Sequence, residues 1–234
     1  MTLGTFVIAI DGPVAAGKTT VGRLIAEKLD ALFFDTGVLY RAIAQQVVQR
    51  GLDPEDQEGV GALAESIDVE LRYPSRSPGR ASDVLVNGVD VTDQLRSPEV
   101  DRALPGVSAN PRVREHLLGQ QRQIASGKRV VVVGRDIGTV VLPNAEFKYF
   151  IEAAPEVRAE RRYKELVERG VDVTYEEVRR DLEARDRRDM ERAQAPLRKA
   201  DGAVAIDATT RTAAEIADRV VAEVLEAQGC RRID

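Results

Sequence analysis

The chain is poor in the residues that make cross-links, membrane spans and polyanion-binding faces. Its 234 residues include one cysteine, Cys230, which excludes an internal disulfide and leads us to expect a reducing, cytoplasmic setting. No window approaches the roughly 18 consecutive apolar residues of a membrane span, so no membrane partner is expected. The opening "MTLGTFVIAIDG" turns polar after Ile10 and lacks the basic-then-apolar layout of a signal peptide. Positive charge is not in excess either. The formal net charge of −5 argues against a nucleic-acid polymer as partner, so any polyanion must be met by a local basic cluster. Internal repeats and low-complexity tails are missing.

What is present is ordinary for a globular chain, with 43% hydrophobic and 31% charged residues and enough length for one sizeable core. Short apolar runs at 6–10, 32–34, 130–133, 149–151 and 203–206 read as buried parallel strands. Helical patterns fall between them. One opens at Asn110 as N-cap with Pro111 behind it and sets Val113, Leu117 and Ile124 on one side. Another opens with a capping box, Thr174 and Glu177. This alternation implies a doubly wound α/β sheet.

Two stretches break the rhythm. Residues 67–95 alternate apolar and polar, with Asn87-Gly88 as a tight hairpin turn, which predicts a small antiparallel insert. Residues 155–199 are dense in charge. The predicted organisation is a core of 1–66, 96–154 and 200–234, the insert at 67–95, and a lid with its following helix at 155–199.

The stretch "GPVAAGKT", Gly12 to Thr19, satisfies G-x-x-x-x-G-K-[ST] between a strand and a helix. Its glycines let backbone N–H groups curl around phosphate oxygens. Lys18 brings charge to the β/γ end, the Thr19 hydroxyl is a ligand for Mg²⁺, and the helix start adds about half a positive charge. The motif binds a nucleoside triphosphate; by itself it does not fix the fate of the γ-phosphate.

Charge placement narrows this. The helix after Thr174 runs Val178, Leu182, and the same spacing continues through Arg185, Asp189 and Arg192. Read alone, that stripe is either an anion site or a solvated helix end paired at i,i+4. Arg41, Arg114, Arg135 and Asp136 tip the reading toward a second anion site. Arg41, Arg135 and Asp136 follow strands, where open α/β sheets bind ligands.

The motifs "IDGPVAAGKTT", "DTGVLYRA", "NPRVRE", "GRDIGTVVLP" and "ARDRRDMERAQAPL" resemble, in order and along nearly the whole chain, the bacterial cytidylate kinase family. The resemblance implies a P-loop α/β fold: a five-stranded parallel sheet with helices on both faces, a small antiparallel nucleotide-binding insert and a helical lid. It also implies transfer of the γ-phosphoryl of ATP to CMP or dCMP with Mg²⁺. By position, Gly12, Pro13, Val14, Ala15, Ala16, Gly17, Lys18, Thr19 and Thr20 would hold ATP, joined by Arg158, with Thr19 on the metal. Thr36, Arg41, Arg135 and Arg192 would grip the acceptor phosphate. Arg185 and Asp189 would meet the sugar, and Arg114 and Asp136 would read the base. Lys18, Arg135, Arg192, Arg161 and Arg162 would serve the transferring group. An Asp136 carboxylate accepts from the N4 amino group of cytosine and is left unpaired by uracil.

The chain departs from the family pattern at Pro105, where a base-contacting serine is usual, and at Val14-Ala15, where little effect is expected. His116 is given no role. A GTP-binding switch would need an Asn-Lys-x-Asp reader, and none of Asn87, Asn110 and Asn144 precedes a lysine. A nucleic-acid-coupled ATPase would need a basic face, and UMP or AMP remain alternative acceptors. Donor and acceptor sites on one chain are sufficient for a monomer.

Overall fold

A computed structural model describes residues 4–76, 80–192 and 194–229, so Cys230 and residues 77–79 of the expected insert lie outside the described residues. The main sheet has five strands, with helices on both faces. The chain divides into two compact units, one made of residues 1–31 and 128–234, the other of residues 32–127.

The first unit carries β1 (Phe6–Asp11), β6 (Arg129–Val133), β7 (Phe147–Glu152) and β8 (Val204–Asp207), in the order β6-β1-β7-β8 with every neighbouring pair parallel. In β1 and β6, Ile8, Ala9, Ile10 and Val130–Val133 are buried. That is why both read as unbroken apolar runs. β8 corrects the expectation of a buried strand. It ends the sheet, and only Ile206 of its four residues is buried, while Val204 and Ala205 are exposed. Helix α1 (Lys18–Lys28) packs against α8 (Ala213–Ala227), which starts with a capping box between Thr212 and Glu215. α6 (Pro155–Glu168) and α7 (Tyr175–Glu191) form an antiparallel hairpin around Ala159, Val178 and Leu182. The expected capping box of Thr174 and Glu177 is formed, and it fixes where α7 begins.

The second unit holds β2 (Leu32–Asp35), α2 (Gly37–Gln49), α3 (Gln57–Glu65), β3 (Val69–Arg72), β4 (Asp83–Val86), β5 (Val89–Asp90), α4 (Pro98–Ala109) and α5 (Pro111–Ala125). β3, β4 and β5 form the expected antiparallel sheet. Its tight turn is Asn87-Gly88, both at positive φ (49° and 80°), the conformation a two-residue hairpin needs. The Asn110 side chain accepts from the Arg112 and Val113 amides and caps α5 as expected. Arg80, whose side chain is 8% exposed, bridges Asp83, Asp90 and Asp93, binding β4 and β5 to the turn after them. Among the described residues, no helix is long and apolar enough to cross a membrane.

Candidate active site

The phosphate loop leaves β1 at Asp11 and closes at Gly17. Gly12 has φ of +149°, and a Cβ built there would stand 1.9 Å from the Ile151 carbonyl oxygen, so β7 backbone excludes every side chain. Gly17, at φ +95°, enters α1 with no side chain to cap it, which leaves first-turn N–H groups for an anion. Lys18 is buried, and its ammonium donates to the Pro13 carbonyl at 2.6 Å, holding it beneath its own loop. Thr19 and Thr20 are exposed at the helix start. A backbone cradle, a lysine in place and a threonine hydroxyl beside it are the donor set that a triphosphate with Mg²⁺ takes.

Asp11 links this loop to the turn after β6. Its carboxylate accepts from the Ile137 amide at 2.8 Å and the Gly138 amide at 2.7 Å. Those two N–H groups open a π-helical turn, Ile137–Val141, directly behind Arg135 and Asp136. A Cβ at Gly138 would stand 3.1 Å from the Ala200 Cβ, a tight contact. Burial pushes the Asp11 carboxyl up to about 6 against the two amide hydrogen bonds; the Asp136 charge adds to the rise and Lys18 opposes it.

Arg135 and Asp136 each meet a partner from the end of α7. Arg135 Nε donates to Asp189 Oδ2 at 2.8 Å, and Arg192 Nη2 lies 3.3 Å from Asp136 Oδ2. All four side chains are partly buried. The end of α7 is held for this by the Leu197 amide, which donates to the Asp189 carbonyl, and by the Ala195 carbonyl, which accepts from Arg192 Nε. Two arginines expected on phosphate and two aspartates expected on nucleoside are therefore gathered into one neutral cluster.

The α7 stripe differs in detail from the sequence pattern. Its buried positions are Val178, Leu182 and Asp186, and Arg185 is exposed. The buried Asp186 binds Arg158 at 2.6 Å, and Arg158 also donates to the Val14 and Ala153 carbonyls. Arg158, expected on ATP, thus spends its guanidinium on protein groups. Arg161 donates to the Ala208 carbonyl at 2.7 Å, with Nη1 lying 3.9 Å from where a Gly17 Cβ would stand. Arg162 pairs with Glu165 on its own helix.

In the second unit, Thr36 is buried at the start of α2. Arg41, one turn on, donates to Asp101 at 2.6 Å and to the Leu95 carbonyl at 3.0 Å. Arg114 lies over the Tyr40 ring, 5.9 Å from its centroid. Pro105 sits inside α4. His116 is within reach of the Ile67 carbonyl and of Gln120, contacts of a helix flank.

Sequence reasoning missed Asp11, Asp186 and Asp101. Asp186 continues the i+4 spacing of Val178 and Leu182, but no signal marked it as buried, because its partner Arg158 lies 28 residues earlier. Asp11 and Asp101 carried none either, because their partners lie 126 and 60 residues away.

A phosphate loop on a parallel sheet with helices on both faces and a small antiparallel insert defines the nucleoside monophosphate kinase group of P-loop proteins. The sequence pattern of the family described as cytidylate kinase matches residues 8–226. The chain is 46% identical to the cytidylate kinase of Geobacillus thermodenitrificans, over 95% of this chain and 97% of that one. It is 43% identical to the cytidylate kinase of Bacillus subtilis, over 93% and 95%. With Halalkalibacterium halodurans cytidylate kinase it shares 42% identity over 94% and 97%. The chain belongs to the cytidylate kinase family.

Proposed function

We propose that the chain transfers the γ-phosphoryl group of ATP to CMP or dCMP, giving ADP and CDP or dCDP. A phosphate oxygen of the acceptor attacks the γ-phosphorus, the bond from that phosphorus to the β,γ-bridging oxygen breaks, and ADP leaves. Such a transfer needs in-line placement and charge neutralisation more than covalent help. Backbone amides of the Gly12–Gly17 loop, Pro13 excepted, hold the donor phosphates, and Lys18 balances charge at the transferring end. Thr19 would hold Mg²⁺, which would supply further charge neutralisation when bound.

Arg135 and Arg192 take the acceptor phosphate, exchanging their aspartates for it. Asp189 is then available to the sugar hydroxyls together with Arg185, and Asp136 to the cytosine amino group. Thr36, Arg41 and Arg114 keep the acceptor contacts implied by the family motifs, and Arg161 and Arg162 reach the transferring group from α6. All these groups belong to one chain, which supports a monomer acting in the cytoplasm on small nucleotides, with no nucleic-acid polymer or membrane involved.

The observation that carries the reading is the reciprocal pairing of Arg135 with Asp189 and Arg192 with Asp136. Partly buried arginines without partners would be costly, and carboxylates that a substrate can displace keep them in place until a phosphate arrives. Phosphorus NMR of a mixture of ATP, Mg²⁺ and CMP tests the reaction. The reading predicts that ADP and CDP appear in equal amounts; ADP appearing with inorganic phosphate contradicts it.

A further inference from the structure

The crest of the phosphate loop is held from outside the loop. The Val14 side chain packs against Ala159, Val178 and Leu182, the apolar cluster between α6 and α7. The Val14 carbonyl accepts from Arg158 Nη1 at 3.2 Å. Arg158 is fixed in turn by the Ala153 carbonyl, 3.1 Å from Nε, and by Asp186 Oδ2, 2.6 Å from Nη1. These two charged side chains are only 8% and 11% exposed, and Asp186 Oδ1 is buried without a hydrogen-bond partner. An ion pair buried this far adds little stability over an apolar pair of equal volume, so stability does not explain it.

The neighbouring residue supplies a reason. Ala15 has φ of +58°, the left-handed region that a residue with a Cβ rarely enters. Such a conformation lasts only where the surroundings over-determine it. Across a planar trans peptide, a Val14 carbonyl turned toward Arg158 sends the Ala15 N–H the opposite way, away from the hairpin. A phosphate-cradling amide needs that kind of fixed aim.

We infer that Arg158 and Asp186 are positioning residues, a buried latch that fastens the loop crest to the α6–α7 hairpin and aims the Ala15 amide at the ATP phosphates. The inference rests on reading the loop as an ATP cradle. It gives Arg158 a role exerted through Val14 in place of direct contact with ATP.

The test is Mg-ATP binding by titration calorimetry on the full chain without acceptor, with thermal melting in parallel. Asp186→Asn keeps the side chain's size and weakens its grip on Arg158. Its Kd for ATP rises about tenfold to a hundredfold, the scale of a small misplacement, while its KM for CMP stays within about twofold. The double variant Arg158→Met with Asp186→Leu refills the space with apolar groups and recovers melting temperature. In the latch account its ATP Kd stays raised. Recovery of both melting temperature and ATP Kd to wild-type values overturns the inference. Should the double variant not fold, Asp186→Asn decides alone, and an unchanged ATP Kd overturns it. ATP binding is read without acceptor, so failure of the wild type to phosphorylate CMP would sink the acceptor reading and leave this test valid.

Discussion

Arg135 and Asp189 face each other across 2.8 Å, one on the turn that leaves β6, the other on the last turn of α7. A phosphate dianion competes with that carboxylate on better terms than water does, because it offers more charge and a forked set of acceptors. Under the proposed function, the pair is a holding position for a guanidinium that the acceptor phosphate takes over.

Arg135→Ala removes the phosphate grip and leaves Asp189 without its partner. The expected result is a fall in kcat/KM for CMP of about a hundredfold or more. ATP affinity stays within about twofold, since the phosphate loop is untouched. Steady-state kinetics with either substrate varied separates the two effects.

Asp136→Asn swaps an acceptor-only carboxylate for an amide that also donates. The carboxylate suits the cytosine amino group, and the amide has a donor for the uracil carbonyl as well. Preference for CMP over UMP should shrink about tenfold or more, with ATP binding intact. An unchanged ratio of the two kcat/KM values would remove Asp136 from base reading.

Gly12→Ala places a methyl group 1.9 Å from the Ile151 carbonyl oxygen, at a φ that suits glycine alone. Loop and strand cannot both keep their places. Unfolding in urea should show a loss of about 2–3 kcal/mol, the scale of overpacking, and Mg-ATP should no longer protect the protein against melting.

Asp11 makes stability depend on pH. Its carboxyl is raised from 3.8 to about 6, so the folded state binds its proton more tightly than the unfolded state does. The resulting stabilisation is complete below the unfolded value and is lost as pH rises through about 6. Between pH 5 and 7 the loss from this group is about 1 kcal/mol. Asp11→Asn lacks the titration and leaves one of the Ile137 and Gly138 amides unsatisfied, a cost of about 1–3 kcal/mol at every pH. The wild type's advantage over the variant in urea unfolding should therefore narrow from pH 5 to pH 7. A constant gap would show that Asp11 does not titrate there.

Much of this architecture is legible in local chemistry. Asn87-Gly88, Asn110-Pro111 and the Thr174 and Glu177 box each act within four residues, and each marks the turn or helix start expected of it. The phosphate loop is equally local. Exposure at the sheet edge was not legible: Val204 and Ala205 look like core residues, and only strand order shows that β8 has one neighbour. Nor was the direction of the α7 stripe, because an acid such as Asp186 joins a buried face only when an arginine 28 residues earlier meets it. Val14 and Ala15 looked inconsequential, since backbone amides bind phosphate. Yet Val14 is packed into the α6–α7 cluster, and Ala15 sits in a conformation that needs support.

The most direct measurement is ADP release from ATP in a coupled assay, with CMP, dCMP, UMP and AMP offered in turn. The account predicts that CMP and dCMP accelerate ATP turnover well beyond UMP and AMP, and that Lys18→Ala abolishes most of that turnover. If no nucleoside monophosphate speeds ADP release, the paired arginines are not an acceptor site and the account fails.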